Sequence, residues 1–538
     1  MGKKPAAQRG EDGSKSMDRI SNLPQPILHH ILSFLSQKEA IQTCVLSKSW
    51  RYLGSTRPNI EFCESHFRSG RKKEKEETFL SVLDKTLQGY HDQKLSIRKF
   101  VVEMPMVDSR PISFLEKWIP IVILDMGVKS FSLSFRLQES EYFDLPSIVF
   151  EAESLQELYL ERCELNSIDN VMLKHLQTLC LQRVYITEET FEKILSSCPL
   201  IENVSLLGCK GFKSIKVNKP HNLNYFAFND TYELYKKQDN VIRIEIDVQT
   251  IKTIRIVGCL NWIHHHIYFP HLSCLFLSRV SLSSESFGFF SCNFPSLENL
   301  TLHYCFGFKE FHLLSRSIKH LRVCGMKKPI KATVDAPNIR MFKYEGDNIP
   351  QSITFTTTSS EWKSNIILWS YSDFDYHASS WFHKLHELLM ALSQSEISLK
   401  MPQERRRNQK IEDPLSLVPT DINNYGGGFY KPVVVENLSV RGYYPYSSFP
   451  GFLRCLFRIC RPRYISQCLY LDAHSEWERE EKQLTEFLLV ILLIKKNMRQ
   501  YVWLQDLEEV SMEEFDENGQ ELHPLDMINV RLRLKWRE

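Results

Sequence analysis

The feature that most constrains this 538-residue chain is a spaced apolar triplet, L-x-x-L-x-L, that recurs through its middle. Apolar residues stand at relative positions 1, 4 and 6. The triplets are Ile97-Phe100-Val102, Val128-Phe131-Leu133, Leu155-Leu158-Leu160, Leu176-Leu179-Leu181, Ile201-Val204-Leu206 and Leu223-Phe226-Phe228, then Ile251-Ile254-Ile256, Leu272-Leu275-Leu277, Leu297-Leu300-Leu302, Ile318-Leu321-Val323 and Ile339-Phe342-Tyr344. First positions are separated by 31, 27, 21, 25, 22, 28, 21, 25, 21 and 21 residues. Positions 4 and 6 flank a single residue, so they share one face of an extended segment. A unit this small cannot bury that face alone; stacking on its neighbours does so.

Most of these steps fall in the 20–29-residue range of leucine-rich repeats. In that repeat, position 9 favours Asn or Cys, whose side chain bonds the turn after the strand. Cys163, Cys209, Cys259 and Cys305 all occupy position 9, so they read as structural thiols rather than metal ligands. Residues between the core positions face outward: Gln156, Glu157 and Tyr159; Gln177, Thr178 and Cys180; Ser273, Cys274 and Phe276; Glu298, Asn299 and Thr301; Lys319, His320 and Arg322. The mixture of aromatic, amide and charged groups suits recognition of a protein. Tyr159, Gln177, Phe276, Asn299, His320 and Arg322 are the candidate target-binding residues.

Beyond Tyr344 the pattern loosens. Val435-Leu438-Val440 and Leu507-Val510-Met512 fit the template again, 381–392 and 449–459 read as helical, and Ile528, Val530, Leu532 and Leu534 alternate like a strand. Residues 403–428 read as a mobile insertion. The expected organisation is a disordered tail over 1–16, a helical unit over 17–60, a linker and helix over 61–90, leucine-rich repeats over 91–345, and irregular repeats with a cap over 346–538. An independent C-terminal domain is the alternative for the last part.

Chemistry is mostly missing. With Lys and Arg nearly balanced by Asp and Glu, the net charge of +2 argues against a dedicated nucleic-acid binder. The longest apolar run, FLLVILLI at 487–494, is far short of a membrane span and reads as a buried helix turn. Fourteen cysteines without a C-x-x-C pair point to free thiols in a reducing compartment. His264, His265 and His266 are adjacent, so on a strand they point to opposite faces and chelate poorly. No G-x-S-x-G, phosphate-binding loop or H-E-x-x-H occurs, and Gly426 to Gly428 lack the spacing and lysine of a nucleotide loop. Cys198 reads as packing at the end of a repeat helix. The repeats show no basic cluster in the sequence, the charge run 68–77 reads as a solvated linker or helix start, and no cofactor, metal or catalytic residue is expected.

Residues 17–53 differ from the rest. Ser21 and Asn22 are candidate N-caps, Pro24 falls in a first turn, and Ile27, Leu28, Ile31, Leu32 and Leu35 form an apolar helix stripe. Ser36-Gln37-Lys38-Glu39 is a capping box for a second helix, and Ser47 opens a third through Trp50. The unit is too small to be confident of a core of its own. Either it docks on the repeats or it keeps an apolar face for a partner. Its residues Leu23-Pro24, Ile27-Leu28, Ile31-Leu32, Phe34-Leu35 and Val45-Leu46-Ser47-Lys48-Ser49-Trp50-Arg51-Tyr52-Leu53 resemble an F-box, with Gly54-Ser55 departing from the family's frequent Trp. LSSCPLIENVSLLGC, 195–209, resembles the repeat signature of the plant F-box/LRR family.

That resemblance implies an all-helical F-box followed by an α/β leucine-rich-repeat solenoid, a horseshoe whose strands line a curved inner face. It implies a non-catalytic subunit of an SCF ubiquitin ligase. In it the F-box holds a Skp-family adaptor, and through it a cullin–RING ligase, while the repeats hold a target protein for ubiquitination. The positions matching the F-box are Leu23, Pro24, Ile27, Leu28, Ile31, Leu32, Leu35, Val45, Leu46 and Trp50, with Leu23, Pro24, Ile27, Ile31 and Leu46 the first choice for adaptor contact. The other reading is a leucine-rich-repeat scaffold without ligase function, its N-terminal unit a cap packed on the repeats. The nucleus, the cytoplasm or both are the expected location, and no membrane or nucleic-acid partner is expected.

Overall fold

Every residue of the eleven triplets is buried to 2% exposure or less, and in every case a strand begins at position 3. The computed structural model describes residues 23–35, 56–63, 72–105, 110–136, 141–166, 168, 170–230, 243–258, 261–263, 267–326, 328, 330–359, 361–369, 378–402, 431–441, 456–466, 506–515 and 529–537, with positions 39, 42–43, 50 and 54. The expectations for residues 1–16, Val45, Leu46, Cys259, the three histidines at 264–266, 403–428, 487–494 and Ile528 lie outside the described residues, as does most of the capping box at 36–39. The chain divides into two units, Met1–Ser205 with Cys209–Gly211, and Leu206–Gly208 with Phe212–Glu538.

The first unit contains α1 (Gln25–Ser33), β1 (Asn59–Cys63), α2 (Lys72–Asp92), β2 (Lys99–Pro105), α3 (Arg110–Leu124), β3 (Ser130–Arg136), β4 (Glu157–Glu161), β5 (Thr178–Gln182) and α4 (Glu188–Ser197). The strands pair in parallel in chain order, and the register aligns Ile60, Phe100, Phe131, Leu158 and Leu179 in one row. The parallel series therefore starts one strand before the first triplet. Ile60 and Phe62 hold positions 4 and 6, but a buried Arg57 stands at position 1, which hides the repeat from an apolar template. The helix expected within 61–90 runs for 21 residues as α2. Tyr90 Oη donates to Arg57 O at 2.6 Å, and Trp118 Nε1 of α3 donates to Asp84 Oδ1 at 2.7 Å, fixing both helices.

The second unit contains β6 (Tyr225–Asn229), β7 (Thr253–Val257), β8 (Cys274–Ser278), α5 (Glu285–Asn293), β9 (Asn299–His303), β10 (His320–Cys324), β11 (Met341–Gly346), β12 (Lys363–Leu368), α6 (Ala378–Ala391), β13 (Glu396–Pro402), β14 (Val433–Arg441), β15 (Cys460–Ser466), β16 (Leu507–Phe515) and β17 (Asn529–Trp536). From β6 to β15 each strand pairs in parallel with the next. The triplet template misses β12 because Glu361 stands at position 1 and Ser364 at position 4. Its buried hydroxyl lies 2.6 Å from Ser395 Oγ, a polar pair where the neighbouring strands carry apolar side chains. Leu507-Val510-Met512 is a correction: it matches the template, yet β16 runs antiparallel to β17, which is itself antiparallel to β15. The alternating end of the chain forms β17 as expected, with Leu532 and Leu534 buried. Residues 456–459 are helical and lead into β15.

Turn geometry repeats with the same step. Position 8 adopts the left-handed conformation in seven repeats, at Arg162, Arg183, Gly208, Gly258, Arg279, Tyr304 and Gly325. This sharp bend ends each strand and sends the chain into the outer part of its repeat. At position 9, Cys209 Sγ reaches Leu181 O at 3.3 Å and Cys305 Sγ reaches Leu277 O at 3.4 Å, so each thiol staples its turn to the preceding repeat. Position 11 is glycine in these same two repeats. A Cβ on Gly211 would sit 2.5 Å from Ile186 O, and one on Gly307 2.5 Å from Leu282 O.

Candidate functional site

Helix α1 begins at Pro24, whose carbonyl accepts from Ile27 and Leu28 N–H at 2.9 and 3.2 Å; Ser21 and Asn22 lie outside the described residues. Prolines at the start of the helix remove donors that have no intrahelical partner. The helix then sorts its apolar side chains onto two faces. Leu28 and Leu32 are buried with Trp50, and Leu35 packs against them. Leu23, Ile27 and Phe34 are 37%, 47% and 77% exposed, Pro24 is exposed, and Ile31 is half-buried. Spacings of four, four and three put Leu23, Ile27, Ile31 and Phe34 on one stripe. Of the ten F-box positions, Leu28, Leu32, Leu35 and Trp50 thus hold the unit together, while Leu23, Pro24, Ile27 and Ile31 flank or face water. Phe34, the most exposed of the stripe, lies outside that set, although its spacing from Ile31 is the signal that finds it.

Each unit carries outward-facing strand positions of its own. In the first unit Tyr159 stands between Ser132 and Cys180 in register, and burial raises its hydroxyl pKa. Gln177 is exposed just before β5, and its backbone carbonyl accepts the N–H groups of Glu202 and Asn203, both at 2.9 Å. Charges on this face are matched: Lys99 with Glu61 at 2.8 Å, Arg136 with Glu103 at 2.5 Å and Arg183 with Glu161 at 3.0 Å.

In the second unit, register aligns Arg255, Phe276, Thr301, Arg322 and Lys343 across β7 to β11. The Arg255 guanidinium lies 4.2 Å from the Phe276 ring centroid. Asn299 pairs with Cys274 on one side and His320 on the other. His303 Nδ1 lies 3.0 Å from Ser278 Oγ. Burial holds His303 and His320 below the ordinary histidine value; Glu345 opposes it at His303, and Arg322 and Arg340 add to it at His320.

Among the described residues no group of three or more His, Cys, Asp or Glu side chains is placed to hold a metal ion. Cys198 is buried at the C-terminus of α4, and burial pushes its thiol up to about 12, which removes the thiolate a nucleophile needs. No described helix is long and apolar enough to cross a membrane.

Comparison with known proteins agrees with this division. An F-box domain family model matches residues 20–60. The LRR domain of At1g61320/AtMIF1 matches 90–261, and the LRR repeats of the FBD-associated F-box protein At5g56370 match 246–357. F-box/LRR-repeat protein At3g59200 of Arabidopsis thaliana is 35% identical over 233 residues, 40% of this chain and 42% of the relative. F-box/LRR-repeat protein At4g14103 of the same plant is 32% identical over 280 residues, 46% of this chain and 71% of the relative. The chain spans about two fifths of the length of At3g59200 and, at 37%, of the putative F-box/LRR-repeat protein At5g41840. An F-box match at the N-terminal helices, leucine-rich-repeat matches over the parallel strands, and a relative covered over most of its length together place this chain in the F-box/LRR-repeat protein family.

Proposed function

We propose that the chain is the substrate-recognition subunit of an SCF-type ubiquitin ligase. Members of this family are generally non-catalytic adaptors, and the reading assigns this chain no covalent chemistry. Leu23, Pro24, Ile27, Ile31 and Phe34 dock on a Skp-family adaptor, with Val45 and Leu46 extending the contact. The parallel strands form a horseshoe solenoid whose inner face takes the target protein, raising its concentration beside the ubiquitin-loaded enzyme. The complex works in the nucleus, the cytoplasm or both.

The observation that carries this reading is the sorting of α1. A cap would bury Leu23 and Ile27 against the repeats, whereas both are exposed beside the packed cluster of Leu28, Leu32 and Trp50. An exposed apolar stripe backed by a packed core is the arrangement of a docking surface. The test is co-purification with a Skp adaptor. Wild type is retained, and a Leu23→Ala, Ile27→Ala double variant with an unchanged circular dichroism spectrum is lost. A folded wild type that ignores the adaptor contradicts the reading and leaves a leucine-rich-repeat scaffold.

A further inference from the structure

Repeat register in the second unit brings Arg316, Lys319 and Arg340 to one cleft, with Glu298 its one acidic lining residue, and leaves Arg322 on the neighbouring strand face. Arg316 and Arg340 line an open cleft of about 580 Å³ formed by the turns that lead into β9, β10, β11 and β12. Arg322 stands on β10, exposed, between Thr301 and Lys343. Backbone hydrogen bonds hold the approach to the cleft in register: Lys319 N–H donates to Glu298 O at 2.9 Å, and Arg340 N–H to Lys319 O at 2.8 Å. His320 stands beside these cations: burial lowers its pKa first, and Arg322 and Arg340 lower it further.

The acids nearby are already engaged. Glu298 pairs with Lys319 at 2.5 Å, and Glu345 pairs with Lys343 at 2.6 Å while accepting from Trp369 Nε1 at 3.0 Å. Arg316, Arg322 and Arg340 have no carboxylate partner within ion-pair distance among the described residues. The first unit's face differs, since its cations on Lys99, Arg136 and Arg183 are each matched to a glutamate. Exposed guanidiniums without a direct ion pair repel one another and attract anions. A guanidinium also presents a planar fork of donors that fits a carboxylate with two hydrogen bonds.

We propose that this arginine face is the target-reading part of the repeats and takes an extended acidic peptide segment, its carboxylates seated on Arg316, Arg322 and Arg340. The proposal rests on the substrate-receptor reading and names the class of target that reading leaves open.

The test uses the full chain and the fluorescence anisotropy of a fluorescein-labelled peptide of alternating glutamate and glycine, at low salt. Wild type binds it and does not bind the glutamine–glycine counterpart. An Arg316→Gln, Arg322→Gln, Arg340→Gln variant binds at least about tenfold more weakly. A Lys216→Gln, Lys219→Gln, Arg243→Gln variant removes the same charge from other exposed positions of the unit and stays within about twofold of wild type. Equal weakening in both variants, or a wild type that ignores the peptide, overturns the proposal. Adaptor co-purification on the same preparations separates the two readings. Adaptor binding without arginine-dependent peptide binding sinks the acidic-target inference alone. Arginine-dependent peptide binding without adaptor binding sinks the ligase reading and keeps the acidic-peptide site.

Discussion

Gly211 and Gly307 each have a φ of +97°, and at each the space where a Cβ would stand is filled by backbone of the preceding repeat. Gly211→Ala and Gly307→Ala therefore combine left-handed strain with a clash that no side-chain movement relieves. Each is expected to cost about 2–4 kcal/mol of the stability of its unit, read as a lower urea midpoint. Gly288→Ala is the control: it lies inside α5 with open space around it, and is neutral or stabilising. The thiols give a second prediction at this scale. Burial pushes Cys305 and Cys324 up to about 11, leaving roughly a thousandth as thiolate at pH 8. Among the described cysteines, iodoacetamide at that pH labels exposed Cys292 first, while Cys163, Cys198, Cys209, Cys305, Cys324 and Cys460 react only after denaturation. Fast labelling of Cys305 in the folded chain contradicts its role as a turn staple. The structural role of the position-9 cysteines was legible because one step orders them and the leucines. The left-handed position 8 was not legible, because arginine and tyrosine fill it as often as glycine does.

At the scale of elements, the triplets announce a strand wherever all three positions are apolar and fail where one is polar. Arg57 before β1 and Ser364 in β12 are such substitutions, each made tolerable by local hydrogen bonding: Arg57 Nε donates to Asn59 O, and Ser364 Oγ meets Ser395 Oγ. The reverse error, at Leu507-Val510-Met512, arises because strand direction is set by the partner and not by spacing. Helix α4 shows how a repeat helix is started: Thr187 Oγ1 accepts from Thr190 N–H at 3.3 Å, with Glu188 and Glu189 in the first turn. Thr187→Ala is expected to destabilise the first unit by about 1 kcal/mol, with Thr187→Ser close to wild type, measured by urea denaturation. Equal loss in both variants would place the effect in packing and not in the cap.

For the whole molecule, the sequence reveals an F-box followed by leucine-rich repeats and conceals which repeat residues converge. The F-box stretch is dense in matched residues, so its existence was readable, but which of its apolar residues face water depends on packing. Leu28 and Leu32 look no different from Ile27 and Ile31 until Trp50 is placed beside them. The basic cleft was invisible because Arg316, Lys319 and Arg340 come to line one site only through strand register. The central claim is that the exposed stripe of α1 joins this chain to an adaptor. The most direct measurement is a calorimetric titration of the full chain with a purified Skp adaptor, comparing wild type, the Leu23→Ala, Ile27→Ala variant, and Val434→Ala, which truncates an exposed apolar side chain on β14. The account predicts that wild type and Val434→Ala bind alike and that the stripe variant loses about 2 kcal/mol or more, a factor of about 30 in affinity. A stripe variant that is folded and binds as tightly as wild type contradicts it.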